Sequence, residues 1–228
     1  MCMFVYLISR EKAFVNSAKE TGYVVKWGLL TLIVPAMGFI AQIYSIIAGK
    51  TDFEGGWLGR TLGAVCLSIF VGLFEELTFR VAINDSLLYR FRNSKHIFVW
   101  IAVISCLVFG LVHVLSLSAF SSPMAFSLAM LKTISTAFDG AILLVLYWKY
   151  RNVWALAIVH GIGDFPTFLE SALTERTVHF GGADNYINSG LAGFVTYGLM
   201  IICAAVVFVI VWKKVGRTID FEEIRKTW

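Results

Sequence analysis

The sequence is short of charge, of paired cysteine and of internal repetition, and each shortage excludes a class of protein. Charged residues make up only 15% of the 228 positions against 58% hydrophobic, with a mean hydropathy of +0.78. That is far too apolar for a soluble domain of this length. Of the four cysteines, Cys66, Cys106 and Cys203 fall inside apolar runs and Cys2 lies near the start. Their spacing supports neither a disulfide framework nor a zinc knuckle. The sequence also holds no H-E-x-x-H pair, no internal repeat and no low-complexity tract. Residues 1–8 have no basic stretch before them and no small-residue cleavage site after them, so no cleavable signal peptide is expected.

What is present is a series of long apolar runs separated by short basic clusters. Six spans are expected, at about residues 23–48, 57–83, 97–119, 124–148, 153–169 and 190–212, the second continuing as helix to about residue 89. The fifth is the odd one, a short run broken by Gly161, Gly163 and Pro166; irregular backbone at membrane depth is tolerated where it lines a cavity. The fold class is therefore all-α: a polytopic membrane bundle, a single domain over residues 1–228. The net charge of +4 does not point to nucleic acid, because the basic residues sit at span ends, where they report orientation. Arg10, Lys12, Lys19, Arg90, Arg92, Lys95, Lys149, Arg151, Lys213, Lys214, Arg217, Arg225 and Lys226 fall on one side, against Lys50, Arg60 and Arg176 on the other. With six spans this places both termini in the cytoplasm of a cell-membrane protein, with the bilayer as its surroundings.

Against this apolar background Glu75, Glu76 and Arg80 stand out, since an ionisable group at mid-membrane costs roughly 2.5–3.5 kcal/mol unless it pairs or faces a cavity. On a helix Glu76 and Arg80 are i,i+4 partners, whereas Glu75 points about 100° away and is left without one. His113 on the third span, and His160 with Asp164 at i,i+4 on the fifth, are the other polar intrusions. Taken singly, each histidine is more readily a structural group bonded to a neighbouring backbone or hydroxyl; together they call for one explanation. Lys132 and Asp139 on the fourth span read as a structural pair or as cavity lining. Depth counted from the basic ends puts Glu75 and His113 at about 22–27 Å but His160, nine residues from Arg151, at only about 14 Å. The four groups meet only if the fifth helix starts deeper or the others tilt.

Glu75-Glu76-x-x-x-Arg80, Phe109-x-x-x-His113 and His160-x-x-x-Asp164, in this order on successive apolar helices, resemble the motifs of the CPBP family, the CAAX-protease and bacteriocin-processing (Abi) intramembrane peptidases. Gly140 and the approach Arg151-Asn152-Val153-Trp154-Ala155 also look like that family, and the peptidase-like core is about residues 62–170. The resemblance implies an intramembrane endopeptidase acting on a membrane-associated peptide or protein, such as a CAAX-type tail or a bacteriocin or signalling-peptide precursor. It implies that Glu75 with His113 activates water, that Glu76 and Arg80 brace the helix, and that His160 with Asp164 polarises the carbonyl. Phe109 would fix the histidine rotamer or line a groove; ordinary packing is the alternative. Related prenyl-protein peptidases commonly have asparagine where this chain has Asp164, which accepts but does not donate when ionised. Two chemistries stay open: metal-free glutamate catalysis, preferred for want of H-E-x-x-H, and a zinc site from Glu75, His113, His160 and Asp164. Two other classes compete: a non-proteolytic bacteriocin-immunity or peptide-binding membrane protein, and a proton-coupled transporter, disfavoured by the lack of a repeat between halves.

Overall fold

The structure is a computed structural model that describes residues 13, 14, 16–115, 117–174 and 190–227. Cys2, Arg10, Lys12 and Arg176, and most of the polar stretch 170–189, lie outside the described residues. The elements in order are α1 (Ala18–Gly28), a 3-10 turn (Leu29–Leu32), α2 (Ile33–Ile47), α3 (Trp57–Glu76), a π-helical stretch (Leu77–Asp85), α4 (Ser86–Phe91), α5 (Ile97–Val112), α6 (Pro123–Tyr150), α7 (Val153–Thr174), α8 (Gly190–Lys214) and α9 (Phe221–Thr227). Four stretches, Ala18–Ile47, Trp57–Phe91, Pro123–Tyr150 and Gly190–Thr218, are long and apolar enough to cross a membrane. The other two expected spans are different in kind. Helix α5 is apolar but has only 16 residues, about 24 Å against a hydrocarbon core near 30 Å, and α7 carries the polar residues His160, Asp164 and Glu170.

Helix α5 stops at Val112, short of the expected end near residue 119, because His113 caps it. Its imidazole Nδ1 lies 2.7 Å from the Phe109 carbonyl, one of the last acceptors of the helix. The chain then turns, and a new helix begins where Ser122 accepts from the Ala125 N–H ahead of Pro123.

Helix α6 is central. From Ile142 to Trp148 every side chain is buried, as expected of a segment apolar all round and enclosed by other helices. It packs against α5 and α8, while α3 packs along α7. The outer surface is apolar: Ile40, Leu62, Phe70, Leu191 and Leu199 are all exposed. Polar groups lie inside, Glu76, Arg80, Asn84 and Asp85 with no exposure at all. This inversion of the soluble pattern suits a lipid environment, where buried polar groups must pair with each other.

Candidate active site

The π-helical turn that follows Glu76 bonds i to i+5, one residue wider than an α-turn. It keeps Glu76, Arg80, Asn84 and Asp85 turned toward the bundle interior over two successive turns, all four of them buried. Arg80 Nε meets Glu76 Oε2 at 3.0 Å and Nη2 approaches Oε1 at 3.4 Å, so the i,i+4 pair read from the sequence is formed. Glu76 does more than pair with arginine, because its Oε1 also lies 2.9 Å from Nδ1 of His160 on α7.

The same helix turns Glu75 a different way, into a cavity of about 830 Å³ between α2, α3, α5, α6, α7 and α8. Its Oε2 stands 3.5 Å from Nε2 of His113 and 3.5 Å from Nε2 of His160. His160 Nε2 in turn stands 3.6 Å from Asp164 Oδ2. These separations exceed a direct hydrogen bond, and Glu75 Oε2 is a buried oxygen without a hydrogen-bond partner. All four residues singled out in the sequence line the same cavity, as do Lys132 and Asp139.

The tautomers follow from the partners. The carbonyl of Phe109 only accepts, so His113 Nδ1 carries hydrogen and Nε2 is the atom turned to Glu75. Glu76, ionised against Arg80, also only accepts, so His160 donates to it through Nδ1 and turns Nε2 toward Glu75 and Asp164. Two imidazole Nε2 atoms and two carboxylate oxygens thus share a small space, in which protons or a bridging water must lie between them.

Phe109 holds the histidines together. It is 2% exposed, with ring centroids 4.8 Å from His113 and 5.8 Å from His160. The Arg80 guanidinium lies over it at 5.1 Å and Phe79 meets it edge-on at 4.9 Å. Gly140 provides the space, since a Cβ there would come within 2.8 Å of the Phe109 ring.

The depth discrepancy resolves at Arg151. That residue is not at the same level as Arg90; its Nη2 is bonded to Asp85 Oδ2 at 3.0 Å, and Asp85 is fully buried. Counted from this bond, Glu75 lies ten residues back, across the π-helical stretch, and His160 nine residues on. Asp85, Asn84, Tyr147 and Trp148, which make this level, were not singled out by sequence reasoning. Asn84-Asp85 inside an apolar helix was the available signal.

The contacts run His113 to Glu75 to His160 to Asp164, and among the described residues no set of three or more His, Cys, Asp or Glu side chains is arranged to hold a metal ion.

Residues 57–166 are matched by a family model described as Type II CAAX prenyl endopeptidase Rce1-like. No curated protein and no solved structure matches the chain. The matched stretch runs from the start of α3 through the His160–Asp164 turn of α7 and contains every side chain of the site, so the part of the chain that carries the site is the part similar to that family.

Proposed function

We propose that the protein is an intramembrane endopeptidase that hydrolyses a peptide bond in a membrane-associated peptide, with Glu75 as general base. One observation carries the reading: a single buried oxygen, Glu75 Oε2, faces two imidazole Nε2 atoms at 3.5 Å on the wall of a cavity large enough for a peptide segment. A water bridging Glu75 Oε2 and His113 Nε2 gives a proton to the carboxylate as its oxygen attacks the scissile carbonyl. His160, as an imidazolium bonded to Glu76 through Nδ1, presents Nε2–H to the developing oxyanion, and Asp164 steadies the same nitrogen. Collapse of the tetrahedral intermediate breaks the C–N bond, and the proton held by Glu75 passes to the leaving amine. Glu76 and Arg80 keep α3 and α7 in place while this happens, and Phe109 holds both imidazole planes. The family description favours a prenylated CAAX tail as substrate, with bacteriocin or signalling-peptide precursors as the other members of the class. The basic ends of the helices face the cytoplasm in this reading, following the charge distribution.

The test is cleavage of a pool of such peptides, a farnesylated CAAX peptide among them, by purified protein in detergent. Wild type is compared with Glu75→Gln, each with and without chelator. Cleavage that is lost in Glu75→Gln and kept with chelator supports the reading. Loss in both brings a metal in, and wild-type binding without any cleavage selects the immunity or peptide-binding reading.

A further inference from the structure

On the basic side of the site lies a second buried polar cluster that the chemistry above does not use. Asp85 Oδ2 accepts from the Tyr147 hydroxyl at 2.8 Å and from Arg151 Nη2 at 3.0 Å, and Oδ1 accepts from Asn84 Nδ2 at 2.7 Å. Asn84 Oδ1 accepts from the Trp148 indole N–H at 2.8 Å, and the Arg151 guanidinium lies over the Tyr147 ring at 5.3 Å. Arg151 closes α6 with φ +48°, the sole non-glycine residue of positive φ among the described residues. Asn152 then opens α7: its Oδ1 accepts from the Ala155 N–H at 3.0 Å, and its Nδ2 donates to Thr21 of α1 at 2.8 Å. The joint between α6 and α7 is therefore tied at once to the π-helical end of α3 and to α1.

The α3–α7 interface explains why such a tie is needed. Its closest approach is between glycines: a Cβ on Gly72 would fall 2.5 Å from the Ala157 carbonyl oxygen, and one on Gly161 would fall 2.7 Å from that of Ser68. Glycine against backbone brings two helices close, and the register is then set by the directional bonds across the interface, Glu76 to His160 and, at the far end, Arg60 Nε to the Ala172 carbonyl at 3.0 Å. Glu75 and Glu76 ride on one helix and His160 on the other. A slide of about 1.5 Å, one residue's rise, would misplace the imidazole by an amount that matters for catalysis. Directional bonds fix register where smooth apolar contact does not.

We propose that Asp85, with Tyr147 and Arg151, is a positioning group that sets the axial register of α7 on α3 and so holds His160 opposite Glu75 and Glu76. The Asp85–Arg151 bond is the pin at the base of two arms, ten residues back through the π-helical stretch to Glu75 and nine residues on to His160 of α7. This rests on the peptidase reading for its kinetic consequence but not for its geometric one, so two readouts are used.

The experiment compares wild type, Asp85→Asn and Tyr147→Phe in detergent. The first readout is the nitrogen and proton NMR signature of His160 Nδ1–H bonded to Glu76, with labelled histidine assigned by a His160→Gln control. The second is kcat and KM for the farnesylated CAAX peptide. Asp85→Asn is expected to shift or broaden the Nδ1–H signal and to lower kcat by at least about tenfold with KM changed by less than about threefold. Tyr147→Phe, which removes one of the three bonds to Asp85, is expected to move both readouts in the same direction by less. An unchanged His160 signal in folded Asp85→Asn overturns the proposal. If Asp85→Asn fails to fold, Tyr147→Phe decides by the same two readouts, and failure of that variant too would make the cluster a folding requirement and overturn the positioning role. Absence of cleavage by wild type refutes the peptidase reading alone, and the NMR result still decides the geometric claim.

Discussion

His160 Nδ1 lies 2.9 Å from Glu76 Oε1, so one buried carboxylate binds α7 through histidine while its other oxygen holds Arg80 at 3.0 Å. Removing the charge of Glu76 leaves the guanidinium of a fully buried arginine uncompensated. Loss of one partner of a buried pair costs about 3–5 kcal/mol, and Glu76→Gln is expected to lose stability on that scale in detergent denaturation. Glu76→Gln combined with Arg80→Met, which removes the orphaned cation, should regain most of that stability without regaining cleavage, because His160 has still lost its ionised acceptor. Recovery of cleavage in the double variant would reduce Glu76 to a brace for Arg80.

The two histidines face one oxygen of Glu75, and in the proposed reaction both serve the same transition state, so their effects should not multiply. General acid–base groups contribute typically about 10²–10⁴-fold, and that is the loss expected in kcat/KM for His113→Ala and for His160→Ala. The double variant is expected to fall little further than the worse single one, as in sites whose members work as a unit. Fully multiplicative losses in peptide cleavage would mean that the two imidazoles serve separate steps.

Glu75, His113, His160 and Asp164 were conspicuous in the sequence as charged or titratable groups inside apolar helices, and the fold brings all of them to the wall of one cavity. The Glu76–Arg80 pair was legible because it is local, a matter of one helical turn. The bond from Glu76 to His160 was not, since 84 residues separate them and no spacing rule connects them. Asp85 escaped for the same reason, 62 and 66 residues from Tyr147 and Arg151. Arg151 misled in a specific way: a basic residue at a span end was read as marking the membrane surface, whereas it is drawn inward by a buried aspartate. Helix α5 was read too long because apolar composition continues past His113, and the capping that ends the helix depends on where the imidazole turns.

Close approach of α3 and α7 is a requirement that a single methyl group tests. A Cβ on Gly161 would meet the Ser68 carbonyl oxygen at 2.7 Å, a backbone atom that cannot rotate away, whereas one on Gly63 of α3 meets nothing within 4 Å. Overpacking of this kind costs typically about 1–3 kcal/mol. Gly161→Ala should therefore lower the unfolding midpoint and, by parting the helices that carry Glu75 and His160, depress cleavage. Gly63→Ala should leave both unchanged. Equal behaviour of the two variants in thermal unfolding and cleavage would show that the interface has slack.

Asp164 offers the sharpest test of the oxyanion side. Its Oδ2 is 3.6 Å from His160 Nε2, on the cavity wall and about one-third exposed. An ionised aspartate there can orient the imidazolium but cannot donate to an oxyanion; a protonated one can do so, and an asparagine amide always can. If donation is its task, the wild-type rate requires the protonated acid, is present at low pH and falls as pH rises through the aspartate's ionisation. In that case Asp164→Asn, which has no proton to lose, keeps cleavage within about tenfold of wild type and flattens that alkaline fall; in the aiming role proposed above, loss of the negative charge is expected to lower cleavage at every pH. Asp164→Ala removes donor and acceptor alike and should cost on the order of 10²–10³ in kcat. A pH–rate profile of the three proteins decides the matter: an inactive Asp164→Asn with a structure like wild type would make the negative charge itself the requirement, leaving His160 Nε2–H as the donor to the oxyanion and Asp164 as the group that aims it.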